Sequence, residues 1–216
     1  MKKLLAMSVI AAALSQNAQA TIVLDFEGAG NGAQLLNFYN GGTDSAGNGG
    51  TNYGIGFGSN ALAAIDSDDG GTGNFANEPS SKTTMFFLSG SAVLNYAAGF
   101  DTGFSFFYSS STAASVKVYD GIDATGTLLA DIPLTAQFNQ GCTGDPTGGF
   151  CNWTAVGASF AGIAKSIDFG GTVNQVGYDN ITFGSATPGT VPEPTSIALI
   201  GAGLAAILRT RRRSAR

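Results

Sequence analysis

Between residues 21 and 185 the chain sustains no helical spacing. It is built instead from ten short apolar segments, with glycine, asparagine, serine and threonine filling the gaps between them. The segments are 22–27, 52–57, 84–88, 92–97, 103–108, 115–120, 127–134, 154–160, 165–169 and 173–183. Runs of this length with alternating apolar residues read as strands. In 115–120, Val116 and Val118 face one way and Lys117 the other. The run GFSFFY at 103–108 is apolar almost throughout and predicts a central strand. Short strands bury an apolar face only by pairing into sheets that stack. The expected fold class is therefore all-β, a two-sheet antiparallel β-sandwich of jelly-roll type. A glycine-rich β-helix is the alternative, but no regular repeat supports it.

Glycine, at 32 residues, could by itself signal low-complexity chain. Fifteen phenylalanines and six tyrosines argue for a packed core instead. The segment Asp120-Gly121-Ile122-Asp123-Ala124-Thr125-Gly126 reads as a hairpin loop, with glycines free to take positive φ. Residues 28–50 and 66–81 are long polar tracts, expected to be the most mobile loops and the places where binding surfaces sit.

Charge is distributed unevenly. Residues 21–185 hold three lysines (Lys82, Lys117, Lys165), no arginine and fourteen acids, a formal charge of −11. Such a surface repels nucleic acid and anionic lipid and suits divalent cations and neutral partners. The chain has no histidine, which removes the Ser-His-Asp triad and the histidine-bearing zinc sites. Glycoside hydrolysis by two carboxylates is permitted by composition, but nothing in the sequence picks out a pair.

Both ends read as addresses. Lys2 and Lys3, the apolar run 4–14 and the small-residue site Ala18-Gln19-Ala20 form a secretory signal peptide over 1–20, so that the exported chain begins at Thr21. The chain's only cysteines, Cys142 and Cys151, would then meet an oxidising compartment. The intervening TGDPTGGF turns back easily, and a disulfide here would stabilise by about 2–3 kcal/mol. Trp153, two residues further on, reads first as packing on the bridge or core, and second as a platform for a sugar ring.

At the other end stand Val191-Pro192-Glu193-Pro194, an apolar stretch over 195–208, and a cluster of Arg209, Arg211, Arg212 and Arg213 with Arg216 behind it. At about 1.5 Å per residue the apolar stretch spans roughly 21 Å as a helix, short of the ~30 Å hydrocarbon core. The arginines favour a cytoplasmic C-terminus. The three blocks in this order resemble the PEP-CTERM sorting tail of exported Gram-negative proteins. The resemblance implies recognition of Pro192-Glu193-Pro194 by exosortase, a membrane cysteine protease-transpeptidase. It also implies an inner-membrane-anchored precursor, and a destination at the cell surface or outside, in bacteria that make exopolysaccharide, biofilm or flocs. The expected organisation is a signal peptide at 1–20, a β-sandwich domain at 21–185, a linker at 186–190, and the sorting tail with a short transmembrane helix at 191–216.

The domain opens with Leu24-Asp25-Phe26-Glu27 and closes with Tyr178-Asp179-Asn180-Ile181-Thr182-Phe183. This resembles calcium-stapled jelly rolls such as MAM-like and carbohydrate-binding sandwiches, over the two terminal strands only. The resemblance implies a structural Ca²⁺ held by Asp25, Glu27, Asp179 and Asn180. Alternation places Ile22, Leu24 and Phe26 on one face and Asp25 and Glu27 on the other, and puts Asp179 on the row of Ile181 and Phe183. A carboxylate on a core-facing row needs a partner, and cationic side chains are scarce. Asp66-Ser67-Asp68-Asp69-Gly70 is a second, weaker loop of calcium-binding type, with Gly70 at the fifth position and Asn77 at the twelfth.

The expected function is a non-catalytic envelope or matrix protein, structural or adhesive, linked to exopolysaccharide. The alternatives are a secreted polysaccharide hydrolase and a matrix protein with no small ligand.

Overall fold

The computed structural model describes residues 21–138, 142–143 and 148–188. The expected signal peptide at 1–20 and the sorting tail at 191–216 lie outside the described residues. Eleven strands are described: β1 (Val23–Leu24), β2 (Ile55–Phe57), β3 (Leu62–Ile65), β4 (Thr83–Phe86), β5 (Ala92–Phe100), β6 (Phe104–Ser110), β7 (Ala114–Tyr119), β8 (Leu128–Leu134), β9 (Thr154–Ala158), β10 (Ala164–Phe169) and β11 (Val176–Phe183). A single 3-10 turn at Ser67–Asp69 is the one helical element described.

Two antiparallel sheets form the expected sandwich. One runs β3-β4-β11-β6-β9, with β1 also paired to β11; the other runs β2-β5-β10-β7-β8. The run at 103–108 lies inside its sheet, between β11 and β9, as its apolar composition predicts. The 120–126 segment is the β7–β8 hairpin loop, closed by Gly121 N–H donating to the Thr125 carbonyl at 3.1 Å. Asp123 and Ala124, besides Gly126, take the left-handed conformations there. β3, the sequence LAAI, is the strand that patterning misses. Its two central residues are alanines and none of the four is polar, so it shows no alternation; its place comes from pairing with β4 from Leu62↔Phe86 to Ile65↔Thr83.

The core is aromatic. Phe104 and Phe106 of β6 and Tyr178 of β11 meet Phe169 of β10, with ring centroids 6.3, 5.8 and 4.9 Å from it. All four side chains are fully buried or nearly so. This contact ties the two sheets together, and aromatic pairs in edge-to-face geometry add to the area they bury.

The tract 28–50 is not the loose loop its composition predicts. Leu35, Phe38 and Tyr39 belong to the core. Asp44 is buried and accepts backbone N–H groups from Gly30, Ala46 and Asn48 at 2.8–2.9 Å. Burial disfavours its charge, yet these donors outweigh that and hold its carboxyl below the ordinary range. The apolar residues here follow no strand or helix period, so only the tertiary fold shows that they point inward.

The last strand carries a second correction. The β6–β11 register shifts between Asp179↔Phe107 and Thr182↔Ser105, so one extra residue is inserted on β11. Asn180 sits at φ 48°, the bulged position. The bulge reverses the alternation: Tyr178 and then Ile181 and Phe183 all face the core. Asp179 therefore does not share the row of Ile181 and Phe183; following Tyr178 in regular strand, it takes the opposite face.

Candidate functional site

The first half of β11 pairs with β4 at Tyr178↔Met85 and its second half pairs with β1 at Leu24↔Ile181. Since β6 occupies one edge of β11, β1 and β4 share the other and meet beside Asp179. Phe26, at φ 60°, ends the regular strand and swings Glu27 toward this junction.

The segment before β4 closes the junction. The Ser80 backbone N–H donates to Asp179 Oδ2 at 2.7 Å, and the Asn180 N–H donates to Asp179 Oδ1 at 2.7 Å. Glu27 Oε1 accepts N–H groups from Lys82 at 2.8 Å and Thr83 at 2.9 Å. The Ser80 hydroxyl lies 3.1 Å from the Asp25 carbonyl, 3.2 Å from Glu27 Oε1 and 3.1 Å from the Thr83 carbonyl. A hydroxyl has one proton. Three acceptor oxygens thus converge on one hydrogen, beside a second carboxylate. Asp179 is 0% exposed. Burial, and then the charge of Glu27, push its carboxyl up to about 7 despite the two N–H donors.

This knot of oxygens has the chemistry of a hard-cation site: oxygen donors only, two of them carboxylates, drawn from both ends of the domain. A cation would supply what the single Ser80 proton cannot. Of the four residues expected from sequence, Glu27 and Asp179 are brought together. Asp25 contributes its carbonyl, while its carboxylate accepts from the Tyr39 hydroxyl at 3.3 Å and the Glu27 N–H at 3.2 Å. Asn180 contributes a backbone donor and the bulge. Ser80 and Thr83 were invisible to sequence reasoning, because serine and threonine are common and their roles come from the turn.

The weaker loop at 66–70 also gathers acids. Asp66, Asp69 and Glu78 place carboxylate oxygens within 4.8 Å of one another. Glu78, not Asn77, completes the group; its carboxyl is raised by burial, with the charges of Asp66, Asp69 and Glu27 adding.

On the same sheet, facing away from the core, lies a cavity of about 220 Å³. Its lining includes small residues of adjacent strands (Ala64, Thr84 and Gly177) and the aromatic side chains of Phe75, Phe86, Phe150 and Trp153. Trp153 is held in place by its indole N–H, which donates to the Ala76 carbonyl at 3.0 Å, and by an edge contact with Phe75. Cys142 and Cys151 are bridged, as expected, and this fixes the segment that bears Phe150 and Trp153. The tryptophan packs neither on the bridge alone nor in the intersheet core; it forms a wall of the cavity.

Among the described residues no helix is long and apolar enough to cross a membrane. Residues 190–213 match the PEP-CTERM protein-sorting motif. The motif marks an exported protein, held at the membrane until exosortase processes it and then delivered to the cell surface. No curated protein matches the chain. Among solved structures, the K2 cleaved adhesin domain of Lys-gingipain is similar at 10% identity, with a TM-score of 0.47 over 77% of this chain and 98% of that domain. A family 6 carbohydrate-binding module is similar at 16% identity, with a TM-score of 0.36 over 58% of this chain and 82% of the module. A family 43 arabinoxylan arabinofuranohydrolase from Bacillus subtilis is similar at 16% identity, with a TM-score of 0.38 over 58% of this chain and 24% of the enzyme. Likeness at this level leaves the function to be read from the chain's own residues.

Proposed function

We propose that the exported domain is a non-catalytic structural or adhesive component of the cell envelope or extracellular matrix. Its partner is exopolysaccharide, and Ca²⁺ acts as a structural staple. The observation that supports this reading is the uncharged lining of the Trp153 cavity: among the described residues, no Asp, Glu, Lys or Arg lines it. Glycoside hydrolysis needs two acids across the substrate. Here the Glu27 and Asp179 carboxylates are occupied by backbone donors at a strand junction. Such an arrangement suits holding a ligand, not cleaving it.

Glu27 and Asp179, with the carbonyls of Asp25 and Thr83, would hold the calcium. The ion would supply charge neutralisation at the point where β1, β4 and β11 meet, fastening the first strand to the last. The knot lies on the same sheet as the cavity, so the staple would stabilise its frame.

A retention assay tests the reading. The exported protein should bind exopolysaccharide extracted from the producing cells and release no reducing ends during prolonged incubation. Release of reducing ends, abolished when Asp25 or Glu27 is replaced, would establish the hydrolase alternative. Absence of retention, with loss of flocs or biofilm on deletion, would leave a matrix protein with no small ligand.

A further inference from the structure

We infer that the cavity walled by Phe75, Phe86, Phe150 and Trp153 is a binding site for a single neutral hexopyranose unit of a polysaccharide. The inference deepens the adhesive reading and rests on it.

Three properties of the cavity point to this ligand. Its walls are aromatic, and its strand-borne residues Ala64, Thr84 and Gly177 are small. Gly177 leaves the space open: a Cβ there would lie 3.2 Å from Trp153 Cη2 and 3.9 Å from Thr84 Oγ1. The C–H face of a pyranose packs on aromatic surface, while its equatorial hydroxyls project sideways and need polar partners. Those partners stand at the rim. Asn74 and Asn174 are exposed, and their side-chain amides make no hydrogen bond to the described residues. Each amide offers both a donor and an acceptor, which matches a hydroxyl.

Charge selects among sugars. Among the described residues no ionisable side chain lines the cavity, and residues 21–185 carry a formal charge of −11. A uronic acid or sulfated sugar would enter a repulsive field with no cation to receive it. A neutral ring meets no such cost. Size selects a unit instead of a chain. About 220 Å³ lies below the ~300–1,000 Å³ typical of drug-sized ligand clefts. The rest of the polymer would continue past Leu88, which is 55% exposed at the mouth. An isolated sugar in such a site should bind with a Kd on the order of 1 mM. Many units along one polymer would raise the retention well above that.

The chain's single tryptophan makes the site directly observable, because Trp153 alone supplies indole fluorescence. The exported protein is titrated with D-glucose, D-galactose, D-mannose, L-rhamnose and N-acetyl-D-glucosamine, and with D-glucuronate as the anionic control. At least one neutral sugar should shift the emission in a saturable way, and glucuronate should not. Gly177→Val should abolish the response by filling the cavity. Asn74→Ala, an exposed change that leaves packing intact, should weaken binding about ten-fold, roughly one hydrogen bond's share. No response to any neutral sugar, an equal response to glucuronate, or unaltered binding by both variants would each overturn the assignment. Retention on whole exopolysaccharide, run in parallel, separates the two levels. If both variants are retained like the parent, the cavity assignment fails and the adhesive reading stands. If the parent itself is not retained, the adhesive reading fails, and a saturable sugar response would still locate the site.

Discussion

The buried carboxyl of Asp179 makes the stability of this fold depend on pH in an unusual direction. In the calcium-free protein the group titrates at about 7, against a reference value of 3.8. A raised folded-state value means that the folded protein keeps a proton that the unfolded chain has already lost. Stability from this group is therefore complete below about pH 3.8 and is lost as pH rises toward 7. At about 1.4 kcal/mol per pH unit, the full span corresponds to about 4 kcal/mol. Since about 2–4 °C accompanies each kcal/mol in a domain of this size, the melting temperature should fall by about 8–16 °C. The assay is thermal unfolding by circular dichroism in chelator, at steps from pH 4.5 to 8. The proposed calcium staple would engage the ionised form, so saturating Ca²⁺ should flatten the profile and raise the melting point most at neutral pH. A concentration of 100 times Kd is worth about 2.7 kcal/mol. Asp179→Asn should also remove the slope, because its side chain does not titrate. The amide accepts poorly from two N–H donors at once, so the variant should lose about 1–3 kcal/mol at low pH. A calcium-free melting point that stays level or rises from pH 5 to 7.5 would refute the reasoning. So would an Asp179→Asn profile with the parent's slope.

Other expectations follow from the same geometry. Phe169→Ala should cost about 3–5 kcal/mol in denaturant unfolding, since it removes the ring that joins the two sheets. Asn180→Gly should be nearly neutral, whereas Asn180→Val should cost about 1–2 kcal/mol, because a β-branched residue resists the φ of 48° at the bulge. Replacing Cys142 and Cys151 by serine should lower stability by about 2–3 kcal/mol and increase quenching of Trp153 by acrylamide, as the segment bearing it loosens. Alanines in place of Pro192, Glu193 and Pro194 should leave the precursor in the inner membrane, detected by fractionation; normal release of the protein would contradict exosortase recognition of that triplet.

What the amino-acid sequence determined is local. Short apolar runs, most of them alternating, set ten of the eleven described strands, since such patterning is a property of neighbouring residues. The glycine- and aspartate-rich hairpin loop, the disulfide and the sorting motif were equally legible, each being a contiguous pattern. The tertiary structure decided what depends on residues far apart in the chain. It inserted one residue at Asn180 and so turned Asp179 away from the row that strict alternation assigns it. It drew Leu35, Phe38 and Tyr39 into the core from a tract that reads as loop, because their burial is set by the sheets they meet and not by spacing. It brought Ser80, 53 residues from Glu27 and 99 from Asp179, into the oxygen knot. It also opened a cavity between Trp153 and Gly177, where a missing side chain on one strand matters only because an indole from another segment lies above it.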